Sequence, residues 1–418
     1  MSLTEQSMPT PITDEERRFH TARVMTISSG HFIHDMYTSF LAPLLPTFIS
    51  NLALSKTEAG LLVVFMQWPS LLQPVFGNLA DRVNLRAFVI LAPTVTGIMM
   101  SLLGVAPAYG VMALLLVVAG LSSAAFHSVG PALVGVLSGR SLGRGIGFWM
   151  VGGEFGYTVG PILISSAVKF LTPRGTPWLM VIGLLASVFL YARLRDVPGM
   201  TPQGVKNRPW RHALQCMKPV LGPLIGITIT RSFMIAGLTT FLPVFLREQG
   251  ADLWLAGVSL SVLQTAAVAG SLVVGSLSDS LGRKVTVSLS LLLGSLCTLL
   301  FLAVRGWAQF PVLLLVGFTA LPTPVVLLAL VQETFPENRA LANGIYNSIT
   351  FVIFAATVAA MGALGDWLGL RAAFTASAFV TLLALPFVIL LPGGRKRGSQ
   401  RVEQESTAKG AKGQNIES

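Results

Sequence analysis

Apolar runs of about 20 residues, the length a helix needs to cross the roughly 30 Å hydrocarbon core of a bilayer, recur along most of this chain. Short polar or Gly/Pro-containing breaks separate them. No other feature restricts the fold as strongly, because backbone inside a bilayer must satisfy its own hydrogen bonds, which long apolar runs do as helices. The runs place spans near 24–50, 58–79, 87–106, 108–137, 143–171 and 176–194. A second set follows near 218–246, 252–277, 284–303, 306–333, 338–364 and 369–392. Only 11% of residues are charged, against about 25% in a soluble globular chain. The expected fold is an all-α polytopic membrane protein with 12 transmembrane helices.

The one long internal connector, 195–217, is basic and carries Pro and Gly. It divides the chain into two six-helix bundles, 24–194 and 218–392, flanked by polar tails at 1–23 and 393–418. The second tail is short, charged and expected to be disordered. The net charge of +11 does not imply a nucleic-acid partner, because the basic residues form no domain or stripe. They sit in the gaps between runs: 22 Lys and Arg fall on the side of both termini, 6 on the opposite side and 1, Arg231, inside a span. The positive-inside rule therefore makes both termini cytoplasmic. The start has no cleavable signal pattern, and Cys216 and Cys297 are too few and too differently placed for a disulfide framework.

The two halves resemble each other. "GNLADRVNLR" (77–86) follows the second span and "GSLSDSLGRK" (275–284) follows the eighth. Upstream, "AGLLVVFMQW" (59–68) aligns with "AGVSLSVLQT" (256–265), matching Gln67 to Gln264. "TSFLAP" (38–43) aligns with "TTFLPV" (239–244). Three matches in order at nearly one offset indicate a duplicated six-helix unit, and such a repeat places a binding site between the halves near the midplane.

With both loops in view, the chain resembles the major facilitator superfamily. The loop signature of that family, roughly Gly-x-x-x-Asp-Arg-x-Gly-Arg-Arg, is matched by Gly77, Asp81, Arg82 and Arg86, with Asn84 in place of a glycine. It is matched again by Gly275, Asp279, Gly282, Arg283 and Lys284. The resemblance implies gating loops, a cytoplasmic latch in which carboxylates and arginines bridge facing helix ends. In the fifth span Gly156, Gly160 and Pro161 resemble the helix-bending motif of proton-driven drug antiporters in the family, and they also suit ordinary close helix packing. The usual glycine pair after the proline is absent. "HFIHDMYTSFLAPLLP", "AAFHSVGPALV" and "GRGIGFWMVGGEFGYTVGP" look like the fosmidomycin resistance group, bacterial inner-membrane exporters of a small phosphonate antibiotic.

Intramembrane ionisable residues are costly and mark function by default. At 1.5 Å per residue, Asp35, Glu154, Arg231 and His127 all fall near mid-membrane on four different spans. His31, His34, Asp35 and Thr38 share one helical face. The expected assignment gives proton coupling to Asp35, Glu154 and His34, and substrate binding to Arg231, His127, His31, Thr38, Gln67 and Gln264. Each also has a plain structural reading, as an ion pair or as a hydrogen bond between helices; for the glutamines that reading is the simpler one. The function that follows is alternating access, with a proton gradient and no cofactor driving export of a small anionic or amphipathic compound by a monomer. Uptake of an organic anion by symport or uniport fits the same residues. A membrane enzyme built on His34–Asp35 or on His31, His34 and His127 lacks any familiar metal spacing and leaves the repeat unexplained. A sensor or scaffold has no added soluble domain to support it.

Overall fold

The computed structural model describes residues 19–80, 86–139, 141–196, 210–334 and 339–391. Among them there is no strand, and the helices fall into twelve spans. In the first half, α1 (Thr21–Thr38) and α2 (Leu41–Leu52) form the first span, and α3 (Lys56–Gln67) and α4 (Gln73–Ala80) the second. α5 (Arg86–Leu102), α6 (Tyr109–Leu137), α7 (Leu142–Leu171) and α8 (Met180–Leu194) complete that half. In the second half, α9 (Trp210–Ala236) and α10 (Leu242–Glu248) form the seventh span, followed by α11 (Leu253–Leu281) and α12 (Arg283–Ala303). α13 (Gln309–Ala320) and α14 (Thr323–Thr334), α15 (Arg339–Leu368), and α16 (Leu370–Leu382) and α17 (Leu385–Leu390) supply the last three spans.

Ten helical segments among the described residues are long and apolar enough to cross a membrane. The two spans outside that set are the first and the fifth, which carry His31, His34, Asp35 and Glu154. The first is also broken after Thr38 into helices of 18 and 12 residues.

Several spans expected to be continuous are interrupted, and the interruptions follow local chemistry. Pro69 falls in the 3-10 turn Trp68–Leu72 that joins α3 to α4, and Pro322 lies between α13 and α14. Proline lacks the amide hydrogen an α-helix requires. The repeated "TSFL" and "TTFL" segments are both irregular: α1 ends at Thr38, and residues Gly237–Phe241 form a π-helical turn. Such turns expose backbone and concentrate at functional sites. α9 starts at Trp210, inside the stretch expected to be connector, because the helix continues beyond the apolar window that defines the span.

The halves meet at the end of the molecule away from the termini. There α7 lies against α11, and α3 against α15. The Asp366 carboxylate at the end of α15 accepts hydrogen bonds from the Lys56 and Thr57 amides at 2.8 Å and from Thr57 Oγ1 at 2.6 Å. It thus caps the N-terminus of a helix in the other half, where unsatisfied amides and the helix dipole favour an anion. Ser55 and Glu58 form a capping box on the same helix start. Lys56 Nζ pairs with Glu248 at 3.0 Å, and Trp254 Nε1 donates to Ser166 Oγ at 3.1 Å.

Hydrophobic packing divides in the same way. One buried cluster joins both halves, with Leu41, Leu45 and Leu62 from the first and Phe241, Phe245 and Val358 from the second. Towards the termini two separate clusters replace it, one in each half: Ile27, Phe126 and Leu194 in the first, Leu224, Val287 and Val388 in the second. Among the described residues the molecule is closed at the far end, and its two halves form separate apolar clusters at the end bearing the termini.

Candidate functional site

A cavity of about 320 Å³ lies between the halves, within the range of small-molecule sites. Thr38, Gln67, Glu154 and Pro161 line it from the first half, and Arg231 and Gln264 from the second. The paired glutamines of the repeat thus face one space, as do Ser39 and Thr240 from the two irregular segments. The site depends on those interruptions, since they bring hydroxyl-bearing residues to the cavity wall.

Beside the cavity, Asp35 is enclosed in a buried cluster. Its Oδ2 lies 2.9 Å from His31 Nε2, and its Oδ1 lies 3.3 Å from His127 Nε2. His31 Nδ1 lies 2.8 Å from the Trp149 carbonyl oxygen and must donate to it, because a carbonyl only accepts. The other nitrogen of the ring faces the Asp35 carboxylate at 2.9 Å, yet neither it nor Asp35 Oδ1 has an aligned hydrogen-bond partner among the described residues. Donor atoms of His31, Asp35 and His127 all lie within 4.8 Å of one another.

The surroundings hold this cluster in place. Trp149 stacks on His31 with ring centroids 3.8 Å apart, and Thr38 Oγ1 donates to the Asp35 carbonyl at 3.0 Å. α7 approaches α1 closely through Gly152, Gly156 and Gly160, where a Cβ would collide with the backbone carbonyls of Ser28, Phe32 and Met36. Gly156 and Gly160 therefore act as a packing stripe that brings α7 against the Asp35 helix. Pro161 sits on the cavity wall one residue further on.

The expected residues separate into two groups. His31 and His127 gather around Asp35 rather than beside Arg231. His34 is fully buried and stacks on Phe126 at 4.4 Å. Glu154 lines the cavity. Arg231 is 5% exposed, and its one recorded hydrogen bond is a long one, 3.4 Å, to the Leu321 carbonyl. Among the described residues no carboxylate lies within ion-pair distance of it. A buried guanidinium without a carboxylate, on the wall of a cavity, is suited to an anionic ligand.

The loops divide as well. In the second copy, Arg283 pairs with Asp279 at 2.7 Å and with Glu333 at 2.6 Å, and Lys284 Nζ donates to the Ile389 carbonyl at 2.9 Å. Gly282 has φ +93°, a left-handed conformation that favours glycine. All these partners belong to the second half, so this copy braces its own bundle. In the first copy Gly77 lies on α4 and Arg86 opens α5, while Asp81 and Arg82 lie outside the described residues. Trp149, Asp366, Lys56 and Glu248 were not singled out from sequence. The Ser55-x-x-Glu58 capping signature was legible beside Lys56, whereas nothing local to Asp366 names its partner.

Two helical bundles around a central, largely apolar cavity with a few polar groups, closed at one end, have the arrangement of a membrane transporter. The sequence profile of the Major Facilitator Superfamily matches residues 27–340 and 260–414, and the chain belongs to that family. It is 24% identical to the fosmidomycin resistance protein of Escherichia coli (strain K12) over 409 residues, covering 95% of this chain and 100% of that protein. It is also 24% identical over 313 residues to the class E tetracycline resistance protein of Escherichia coli, covering 71% of this chain and 76% of that one. The fold is similar to a bacterial homologue of the human lysosomal transporter Spinster, in its inward-facing, occupied conformation. That match has a TM-score of 0.73 at 15% identity, covering 89% of this chain and 96% of that one.

Proposed function

We propose that this transporter exports a small anionic or amphipathic compound, phosphonate- or drug-like, in exchange for protons, by alternating access. The observation that carries the reading is Arg231, a buried cation on the cavity wall with no carboxylate partner among the described residues. Its fixed charge and planar donors suit a phosphonate or carboxylate. The buried carboxylate of Asp35, held between His31 and the less buried His127, supplies the proton-coupling site of this reading. The names of two relatives, for fosmidomycin and for tetracycline resistance, support export of a small compound.

The excess of Lys and Arg on the side of both termini supports a cytoplasmic location for them, in a membrane that we read as the bacterial inner membrane. In that orientation the closed end faces outward and this is the state in which an exporter loads. The deciding experiment reconstitutes the purified chain in proteoliposomes, imposes a pH gradient, and follows propylphosphonate flux together with internal pH. Phosphonate moving against the proton flow is the expected result. Flux in the same direction as protons replaces export with anion uptake by symport, and flux indifferent to the gradient replaces it with uniport.

A further inference from the structure

Among the described residues Glu154 is the one carboxylate that lines the cavity, and the proposed proton site at Asp35 does not use it. Among the described residues its side chain has no ion-pair partner; only its backbone carbonyl is engaged, by Thr158 Oγ1 at 3.0 Å. Arg231 stands on the wall contributed by the other half, also without a carboxylate. Opposite charges in a low-dielectric setting gain most by pairing directly, yet these two lie beyond ion-pair distance of each other in one cavity. Asp35 cannot substitute for Glu154, because two imidazoles already enclose it.

We infer that the cargo is a small zwitterion, with an anionic group bound at Arg231 and an ammonium group bound at Glu154. The inference rests on reading this cavity as the cargo site, and it adds the second pole. One molecule would satisfy both uncompensated charges and, because each belongs to a different half, would draw the two halves together. A simple anion would meet a charged partner only in the second half. The volume of about 320 Å³ suits a short aminoalkylphosphonate or an amino-acid-like compound. Gln67 and Gln264, facing the same space, offer donors and acceptors between the poles.

Two probes of equal chain length separate the possibilities: aminopropylphosphonate and propylphosphonate, titrated calorimetrically into the full chain in nanodiscs. The amino compound is expected to bind about tenfold more tightly to the wild type. Glu154→Gln should remove that advantage, so that the two probes bind alike, and continued binding of propylphosphonate shows that the variant is folded. Equal binding of the two probes to the wild type, or a preference that survives Glu154→Gln, overturns the zwitterion. Arg231→Gln should weaken both probes. If it weakens neither, the anion site itself is wrong, an outcome distinct from loss of the amine preference alone. No binding of either probe at millimolar concentration overturns both readings.

Discussion

Asp35 and Arg231 lie on the opening helices of the two halves, α1 and α9, and the protein treats them in opposite ways. Asp35 is enclosed by two imidazoles, one of them fixed by a backbone carbonyl and an indole ring. Arg231 is equally buried, but among the described residues it has no carboxylate within ion-pair distance and a single long hydrogen bond, to a carbonyl. A charge compensated by neighbours that themselves exchange protons can change its protonation without an outside partner. A permanent cation left uncompensated needs a ligand. The duplication supplied two equivalent scaffolds, and under the proposed function side-chain chemistry makes one a proton site and the other an anion site.

The largest effect expected to test that contrast comes from Asp35→Asn. Gradient-driven accumulation in proteoliposomes should disappear, while affinity for propylphosphonate stays within about threefold, because Arg231 and the cavity wall are untouched. Accumulation that persists would remove Asp35 from coupling and make both charges structural. Arg231→Gln should act in the converse manner. Propylphosphonate binding should weaken by about 100-fold, the scale of losing a buried charge-assisted contact. The thermal unfolding midpoint should hold or rise, because no buried carboxylate is stranded. A marked fall in that midpoint together with unchanged binding would mean that Arg231 has an internal partner.

Asp366→Asn should give the smallest change, because it touches neither charge and alters only the side from which both are reached. Losing one carboxylate oxygen at the start of α3 removes a cap worth about 1 kcal/mol, a shift of roughly fivefold in the balance between states. Spin labels at the far ends of α3 and α15 should report a larger population of separated distances. An unchanged distance distribution would show that apolar packing, and not this cap, holds the far end shut.

Much of this was legible in the sequence because the membrane imposes simple rules. Span length follows from the apolar runs, the six-plus-six division from the long basic connector and the repeat from three matched segments, and depth singled out the mid-membrane ionisable groups. Assigning partners to those groups went further than one-dimensional information allows. Depth along the membrane put His127 level with Arg231 and Asp35 alike, and the reading gave it to the anion; the folded chain gives it to Asp35. The glycines of the fifth span were readable as a packing stripe, but that they press on the Asp35 helix was not.

The sequence by itself determined that the chain spans a membrane, that it does so in two related bundles, and which buried groups needed explaining. These are consequences of transfer free energy, which is summed residue by residue along the chain. Only the tertiary structure decided which charge is compensated and which is left bare, and which end of the molecule is closed. Those outcomes depend on contacts of a few ångströms between distant residues, such as His31 with the Trp149 carbonyl and Asp366 with the amides of α3. Hydrogen bonds and ion pairs act only over such distances, and rotation about the helix axes, which sets them, is fixed by packing between helices.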